Sequence, residues 1–295
     1  MKDFLSARAY FVGWRLVRWL PENLAYKLFF AIGNFTRSRN GKSVQRLRKN
    51  LTRVKNSSES NIIEPLLGKA MKSYMRYWCD TFRSPDWSAK RVLSTVTCTN
   101  EEFLTGPMLR GEGVIVALPH AGNWDHAGSY FCSKGFPLVT VAERLKPEAL
   151  FRKFLKYREA IGMEVIALDS RSMGTLMQRA REKRLIALVA DRDLSQSGVD
   201  VNFFGHTARM PAGPAVLALR TGLPLITAFV FYTEAGIHIN FEKIEISRSN
   251  DEKYDISRIV QRCADSFASG IASHPEDWHM LQRIWIDEGF KERVA

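Results

Sequence analysis

The sequence is poor in cysteine, and its four cysteines are widely separated. They are Cys79, Cys98, Cys132 and Cys263, and no two of them form a C-x-x-C pair. Structural zinc sites and disulfide frameworks both need closely and regularly spaced cysteines. The spacing therefore indicates neither kind of site and is typical of reduced thiols in a cytosolic protein.

Long uninterrupted apolar runs are also missing. A helix that crosses a bilayer needs about 20 consecutive, mainly apolar residues. The best candidate lies near the N-terminus, where Arg15 and Arg18 interrupt it, and no small-residue cleavage site follows. We therefore expect a protein that is neither secreted nor membrane-spanning.

Acidic residues are scarce relative to basic ones. The 31 Asp and Glu residues stand against 43 Lys and Arg residues, which gives a formal net charge of +12 at pH 7. Such an excess predicts an anionic partner: nucleic acid, a phospholipid surface or a phosphate-bearing substrate. No helix-turn-helix or RNA-binding signature is present, so we expect no nucleic-acid partner.

Residues 1–50 are basic and rich in aromatic residues, and Pro21 separates two predicted helices there. An interfacial helix would bury its aromatic face at the lipid headgroups and keep its cationic side chains near phosphates. An ordinary amphipathic helix that packs on its own domain explains the same pattern. We expect a single domain over residues 1–295, with residues 1–50 contacting the membrane if the substrate is a lipid.

Strand and helix patterns alternate from Val92 onward. Strands are predicted at residues 114–118, 138–141, 165–168, 185–190, 225–231 and, with alternating character, near 237–246. Helices are predicted at residues 124–134, 147–161, 173–184, 213–221 and 256–273. This pattern is typical of an α/β fold. We expect a central mostly parallel or mixed sheet, covered by helices on both faces and preceded by N-terminal amphipathic helices.

One motif follows the first of these strands and carries possible chemistry. His120 stands at the carboxyl end of the apolar run Val114 to Leu118, where open α/β sheets usually place their sites. Asn123 can cap the next helix, and the turn could return Asp125 to His120. A carboxylate on one ring nitrogen would orient the imidazole as a general base. A histidine that is merely satisfied within a turn gives the same spacing.

Several segments together resemble one known family. They are HAGNWDHAG from residue 120, AERLK from residue 142, DRDL from residue 191, GVDVNFFG from residue 198 and MPAGPAVLALRTGLP from residue 210. They are similar to the bacterial phosphatidylinositol mannoside acyltransferases, within the superfamily of lipid A late acyltransferases and its H-x-x-x-x-D/E motif. The resemblance extends to about Trp285 and implies the same α/β architecture.

The resemblance implies roles for several residues. Acyl transfer from a thioester to an alcohol needs a base, which would be His120, with Asp125 orienting it. No G-x-S-x-G elbow is present, so we expect direct transfer in a ternary complex rather than an acyl-enzyme. The family has a further acidic residue, for which Asp200 is the best match, and Asp191 and Asp193 compete for that role.

Substrate-binding candidates are mainly arginines, because guanidinium groups can clamp phosphates. Arg144 and Arg192 lie at predicted strand ends, and Arg158 and Arg209 are secondary candidates. Asp191 joins this group, because it follows the strand at 185–190. For any single arginine, a solvated surface charge is the simpler explanation; the compact DRDL segment favours Arg192.

Other histidines and a metal site are weaker possibilities. His126 could rival His120 as base, whereas His206, His238, His274 and His279 fit core or surface positions. A divalent cation on His120, Asp125 and Asp191 is conceivable. No second metal-spaced histidine pair accompanies them, so we expect no metal.

The resemblance also implies substrates and location. We expect no cofactor, acyl-CoA (or acyl carrier protein) as donor and a phosphatidylinositol mannoside as acceptor, at the cytoplasmic side of the plasma membrane as a peripheral protein. Ala212 stands where glycerolipid acyltransferases carry a glutamate, which argues against a glycerol-3-phosphate acceptor. Another glycolipid, a lysophospholipid acceptor, or a non-catalytic basic membrane-binding protein are the alternatives.

Overall fold

The computed structural model describes residues 13–143, 148–193 and 197–286. The helices are α1 (described over residues 13–19), α2 (Glu22–Ser38), α3 (Lys42–Lys55), α4 (Ser60–Arg83), α5 (Ala89–Ser94), α6 (Glu102–Leu109), α7 (Trp124–Ser133), α8 (Glu148–Ala160), α9 (Ser172–Arg181), α10 (Gly213–Thr221) and α11 (Glu252–Ser273). The strands are β1 (Val96–Thr99), β2 (Val114–Leu118), β3 (Leu138–Ala142), β4 (Glu164–Ala167), β5 (Leu185–Val189), β6 (Val199–Phe203), β7 (His206–Met210), β8 (Leu225–Tyr232) and β9 (Ile237–Ile244).

Seven strands form one mixed sheet in the order β1-β9-β8-β2-β5-β3-β4. Every neighbouring pair is parallel except β8 and β9, which are antiparallel. Strand β2 lies in the middle, and all five of its residues are buried. A continuous apolar run is what a strand buried on both faces requires. The predicted α/β fold with a mostly parallel or mixed sheet is confirmed.

Helices cover both faces of the sheet, as predicted. Alternate residues of β2 enter two different cores, because successive strand side chains point to opposite faces. Ile115 and Ala117 pack in the core that contains residues of α9, α10 and α11. Val116 and Leu118 pack in the core that contains residues of α5, α6 and α7.

One helix begins earlier than predicted, and one hairpin was not predicted. Helix α11 begins four residues before the predicted start at Ile256, because the Asp251 side chain accepts hydrogen bonds from the backbone N–H groups of Lys253 and Tyr254. The hairpin of β6 and β7 was not predicted. Its two-residue turn, Phe204-Gly205, has positive φ at both residues, and the flanking sequence carries none of the usual Asn-Gly or Asp-Gly signals.

The N-terminal helices form a layer whose inner face packs on the rest of the molecule. On α2, Ala25, Phe29 and Gly33 are buried, and a Cβ atom on Gly33 would lie 2.8 Å from Met75 Cγ of α4. A second face of the same helix is apolar but exposed; it consists of Leu24, Leu28, Ile32 and Phe35. Within the described residues, no helix is long and apolar enough to span a bilayer.

A buried carboxylate joins this layer to the sheet. Asp80 of α4 accepts hydrogen bonds from Tyr26 Oη of α2 (2.5 Å), Asn123 Nδ2 (3.3 Å) and Tyr232 Oη of β8 (3.3 Å). Burial raises the pKa of Asp80 to about 6, although the hydrogen bonds and the nearby Arg76 charge oppose the rise. The folded protein therefore binds the proton of this carboxyl more tightly than the unfolded chain does.

The raised pKa of Asp80 makes its contribution to stability depend on pH. The contribution is full below about pH 4 and is lost as the pH rises through about 6, because the folded state binds the proton more tightly. Relative to Asp80→Asn, the wild type should lose about 2–3 kcal/mol of unfolding free energy between pH 4 and pH 7. Urea unfolding followed by tryptophan fluorescence measures the difference.

Glu159→Gln is the matched control, since Glu159 is exposed on α8. It should follow the wild type at both pH values. A wild type and an Asp80→Asn variant with parallel pH dependence would show that the carboxylate does not titrate in this range.

Candidate active site

The central pair of the site is built by two neighbouring parallel strands. Leu118 at the end of β2 pairs with Val189 at the end of β5, and Ala190 N–H donates to Leu118 O (2.8 Å). His120 and Asp191 follow these strands, so both stand at the carboxyl edge of the sheet. His120 Nδ1 lies 2.6 Å from Asp191 Oδ1, and His120 N–H donates to Asp191 Oδ2 (3.0 Å).

Asp191 is fully buried, whereas the His120 side chain is 34% exposed. Burial alone would raise the pKa of Asp191. Attraction to His120 and the hydrogen bonds from His120 and from Trp278 Nε1 (3.0 Å) outweigh burial and hold the pKa below its ordinary value. An ionised Asp191 fixes Nδ1 as the protonated nitrogen and leaves Nε2 for a substrate.

The prediction that Asp125 orients His120 is wrong. Asp125 accepts two hydrogen bonds from the Arg158 guanidinium, from Nε (2.9 Å) and Nη2 (3.1 Å), and a third from Tyr77 Oη (3.1 Å). The prediction that Asn123 caps the helix is confirmed, since its Oδ1 accepts from His126 N (2.9 Å). This start of α7 turns Asp125 towards α4 and α8, and the next parallel strand supplies the partner of His120 instead.

Asp191 is therefore also misassigned as a substrate-binding residue. Its carboxylate has no exposed surface and is occupied by His120 and Trp278. Of the three carboxylates that competed for the supporting role, the structure puts Asp191 on His120. Asp193 lines the neighbouring cavity, and its backbone N–H donates to Arg209 O (2.8 Å).

Asp200 does not support the dyad, and that prediction is wrong. It pairs directly with Arg209 across the β6–β7 hairpin, with Arg209 Nε 2.6 Å from Asp200 Oδ1. A cross-strand ion pair satisfies both groups in place. Arg209, a predicted substrate-binding residue, is thereby tied to the hairpin and is not among the residues that line the cavity beside His120.

The remaining arginine candidates differ in their surroundings. Arg192 lines the cavity with its side chain 6% exposed; its Nη2 is 3.4 Å from Glu143 Oε1, and its buried Nε has no hydrogen-bond partner within the described part of the chain. Arg158 also lines the cavity, but both of its contacts above go to Asp125. Burial lowers the pKa of Arg158, but Asp125, Tyr77 and Tyr157 together raise it above its ordinary value, so Arg158 stays charged. Arg144 lies outside the described residues.

A large cavity of about 870 Å³ lies beside His120 and Trp124. One part of its wall is apolar and comes from α7 and the sheet. A second part is aromatic and comes from α4 and α8, with Tyr74, Trp78 and Phe154 among its residues. The lining also includes the charged side chains of Glu143 and Arg192. Such a cavity can hold a long apolar group with its reactive end next to the imidazole.

His279 and Trp278 belong to the site, although the sequence alone gave no signal for either role. The chain segment that contains Trp278 and His279 reaches the site through an isolated antiparallel β-bridge between Ala121 and Trp278. His279 N–H donates to His120 O (2.8 Å). His279 lines the cavity, and burial lowers its pKa to about 3, so its ring is neutral. Only the tertiary structure brings residues so distant in sequence to His120.

His126, the rival base, has a structural role. It is buried, its Nε2 lies 3.1 Å from Thr95 Oγ1, and burial lowers its pKa to about 4. It is not among the residues that line the cavity. Within the described residues, no group of three His, Cys, Asp or Glu side chains is arranged to hold a metal ion.

The family of the chain identifies this site as that of an acyltransferase. The family model described as bacterial lipid A biosynthesis acyltransferase matches residues 3–286, and the chain belongs to that family. It is 40% identical over 290 residues to the phosphatidylinositol mannoside acyltransferase of Mycolicibacterium smegmatis, covering 97% of this chain and 93% of that protein. It is 38% identical over 292 residues to the protein of the same name from Mycobacterium tuberculosis strain H37Rv, covering 97% and 90%. The family predicted from the motifs is confirmed.

The pair of Asp125 and Arg158 gives a stability prediction. Asp125→Ala leaves a buried guanidinium without its counter-charge and should lower the free energy of unfolding by about 3–5 kcal/mol. Asp125→Ala combined with Arg158→Met should recover a large part of this loss, because no buried charge remains. Chemical unfolding of the three proteins measures it.

Glu252→Ala is the control, since Glu252 and Arg220 form an exposed ion pair. It should change stability little. If Asp125→Ala is no more destabilising than this control, the buried pair does not stabilise the fold as argued.

Proposed function

We propose that this enzyme transfers a long-chain acyl group, palmitoyl in our proposal, from acyl-CoA to a mannose hydroxyl of a phosphatidylinositol mannoside. The step would belong to glycolipid biosynthesis at the inner face of the plasma membrane. The observation that carries the proposal is the His120–Asp191 pair at a cavity with a long apolar wall. The acceptor comes from the printed names of the relatives that span almost the whole chain.

His120 acts as the general base in this proposal. Its Nε2 takes the proton of the mannose hydroxyl while the hydroxyl oxygen attacks the thioester carbonyl. The new C–O bond forms, the C–S bond breaks, and the imidazolium returns its proton to the departing thiolate of CoA. Asp191 stabilises the imidazolium between these two transfers, because its buried carboxylate already accepts from Nδ1.

Arg192 is the better of the two cavity-lining arginines for an anionic group. Its buried Nε is unsatisfied within the described residues, and a phosphate of the donor or acceptor would supply the missing acceptor. Arg158 donates from Nε and Nη2 to Asp125, so these two nitrogens are not free to bind a phosphate.

The exposed apolar face of α2 supports a peripheral membrane site. Leu24, Leu28, Ile32 and Phe35 follow one another at helical spacing on one exposed side of α2, and Phe35 is 66% exposed. Trp19 of α1, which lies just before the start of α2, is 71% exposed. Basic residues of α3 on the solvent side add a charge that anionic lipids attract.

The reaction and its base can be tested together. Labelled palmitoyl-CoA is incubated with phosphatidylinositol monomannoside and, in parallel, with lysophosphatidate. Wild type should acylate the mannoside; His120→Ala should lower kcat by about 10²–10⁴-fold, and Asp191→Asn by at least ~10²-fold, because each impairs proton transfer.

Two variants serve as comparisons. His238→Ala removes a histidine that bonds Thr97 and Thr99 away from the cavity, and Asp200→Asn removes the carboxylate that pairs with Arg209. Both should keep kcat within about twofold. Transfer to lysophosphatidate instead would identify a lysophospholipid acyltransferase, and activity that survives in His120→Ala would remove His120 from the mechanism.

Membrane contact by α2 gives a separate prediction. The double variant Leu28→Ser/Phe35→Ser should bind phosphatidylinositol-containing vesicles at least ~10-fold more weakly, since each buried apolar side chain contributes about 1.5–3 kcal/mol. Vesicle sedimentation measures the affinity. Leu109→Ser replaces a leucine that is 76% exposed on another part of the surface. This variant should bind the vesicles like wild type. Equal binding by all three proteins would exclude this face as the docking surface.

A further inference from the structure

Small residues give the part of the cavity between α7 and the sheet its width. Ala127 and Gly128 line it from α7, Ala187 from β5 and Ala228 from β8. We call this part of the cavity the channel. Ala127, Ala187 and Ala228 pack in one apolar core, and a Cβ atom at Gly128 would meet Met163 and Leu138 of the same core. A larger side chain at any of the four positions would take volume from the channel.

Strand register gives the depth of the channel. Val189 pairs with Leu118 at the edge where His120 stands, and Leu185 lies four residues lower on the same strand and pairs with Leu138 of β3. All four side chains line the cavity. At the rise of a β-strand, four residues correspond to about 13 Å. The channel can therefore take an extended acyl chain, end-on, well below the level of His120.

Gly128 lies against the lower end of the channel. A Cβ atom at residue 128 would lie 2.3 Å from Met163 Cε and 3.0 Å from Leu138 Cδ2. Both distances are shorter than a normal contact, so even one methyl group must displace a neighbour. Met163 is buried and lines the channel, and its unbranched side chain can change rotamer more easily than the strand can move.

We infer that Gly128 and Met163 together set the longest acyl chain that the enzyme accepts. The inference rests on the proposed function, because it takes the channel as the site of the donor's acyl chain. A methyl group at residue 128 displaces the Met163 thioether, and both then occupy the lower end of the channel. The upper end of the channel beside His120 keeps its width, so short acyl chains still fit. The terminal carbons of a long acyl chain lose the space that they occupy in the wild type.

The test compares octanoyl-, lauroyl- and palmitoyl-CoA as donors. Gly128→Ala should lower kcat/KM for palmitoyl-CoA at least tenfold relative to octanoyl-CoA. Gly128→Ala combined with Met163→Ala should restore the wild-type preference, because it removes the displaced thioether. Met163→Ala alone should extend the range towards chains longer than palmitoyl.

Gly174→Ala is the matched control. Gly174 is exposed on α9, and a Cβ atom there would meet nothing within 4 Å. Both glycines lie in helices, so both substitutions bring the same gain in helix propensity. Gly174→Ala should keep the wild-type preference. A Gly128→Ala variant that keeps this preference, or that loses all three donors equally, would overturn the inference.

Binding of free fatty acids separates this inference from the proposed reaction. The thermal shift produced by octanoate, laurate and palmitate needs no acceptor and no turnover. Gly128→Ala should lose the shift with palmitate and keep it with the shorter acids. If wild type transfers no acyl group to the mannoside while this length effect appears, the proposed acceptor is wrong and the role of Gly128 stands. If wild type acylates the mannoside and no length effect appears, the proposed acceptor stands and the role of Gly128 is wrong.

Discussion

The adjacency of strands β2 and β5 is the constraint on which the site depends. Two parallel neighbours end at the same edge of a sheet, so the residues that follow them meet there. The short connections after Leu118 and Val189 leave little freedom, and the Ala190 N–H bond to Leu118 O fixes their relative height. His120 and Asp191 are therefore held at hydrogen-bond distance by the sheet itself rather than by a mobile loop.

The need of buried charged groups for partners explains the other polar contacts at this edge of the sheet. A charged group removed from water must find a counter-charge or hydrogen bonds. Asp125 meets this need with Arg158 and Tyr77, and Asp191 meets it with His120 and Trp278. The two carboxylates near His120 thus have separate partners, and their roles follow from those partners more than from their distance in sequence.

The same sheet produces the apolar cavity. Side chains of β2 alternate between two cores, and the core under α7 contains the small residues that leave space beside the His120–Asp191 pair. Helix α4 then connects this side of the molecule to α2, through Asp80 and its bond to Tyr26. Helix α4 also supplies part of the aromatic wall of the cavity. A lipid acceptor at the exposed face of α2 would therefore contact a helix that packs on this wall.

Much of the fold could be predicted from the sequence. Strand β2 and helix α10 begin and end where predicted, because an uninterrupted apolar run and a Gly-Pro start with a terminal Gly222 are strong local signals. Strand β1, helix α6 and the β6–β7 hairpin were missed. Their segments are short, and the hairpin turn carries no typical turn pair, although its Phe204 packs against the core.

The sequence by itself determined the family, the α/β class, the position of His120 after a buried strand and the cap at Asn123. These depend on local periodicity and on motifs that lie within a few residues of one another. Only the tertiary structure decided that Asp191 rather than Asp125 or Asp200 faces His120, that Arg209 is tied to its own hairpin, and that Trp278 and His279 complete the site. Those contacts depend on which strands are neighbours and on how the C-terminal segment returns, and one sequence does not encode strand order in any local pattern.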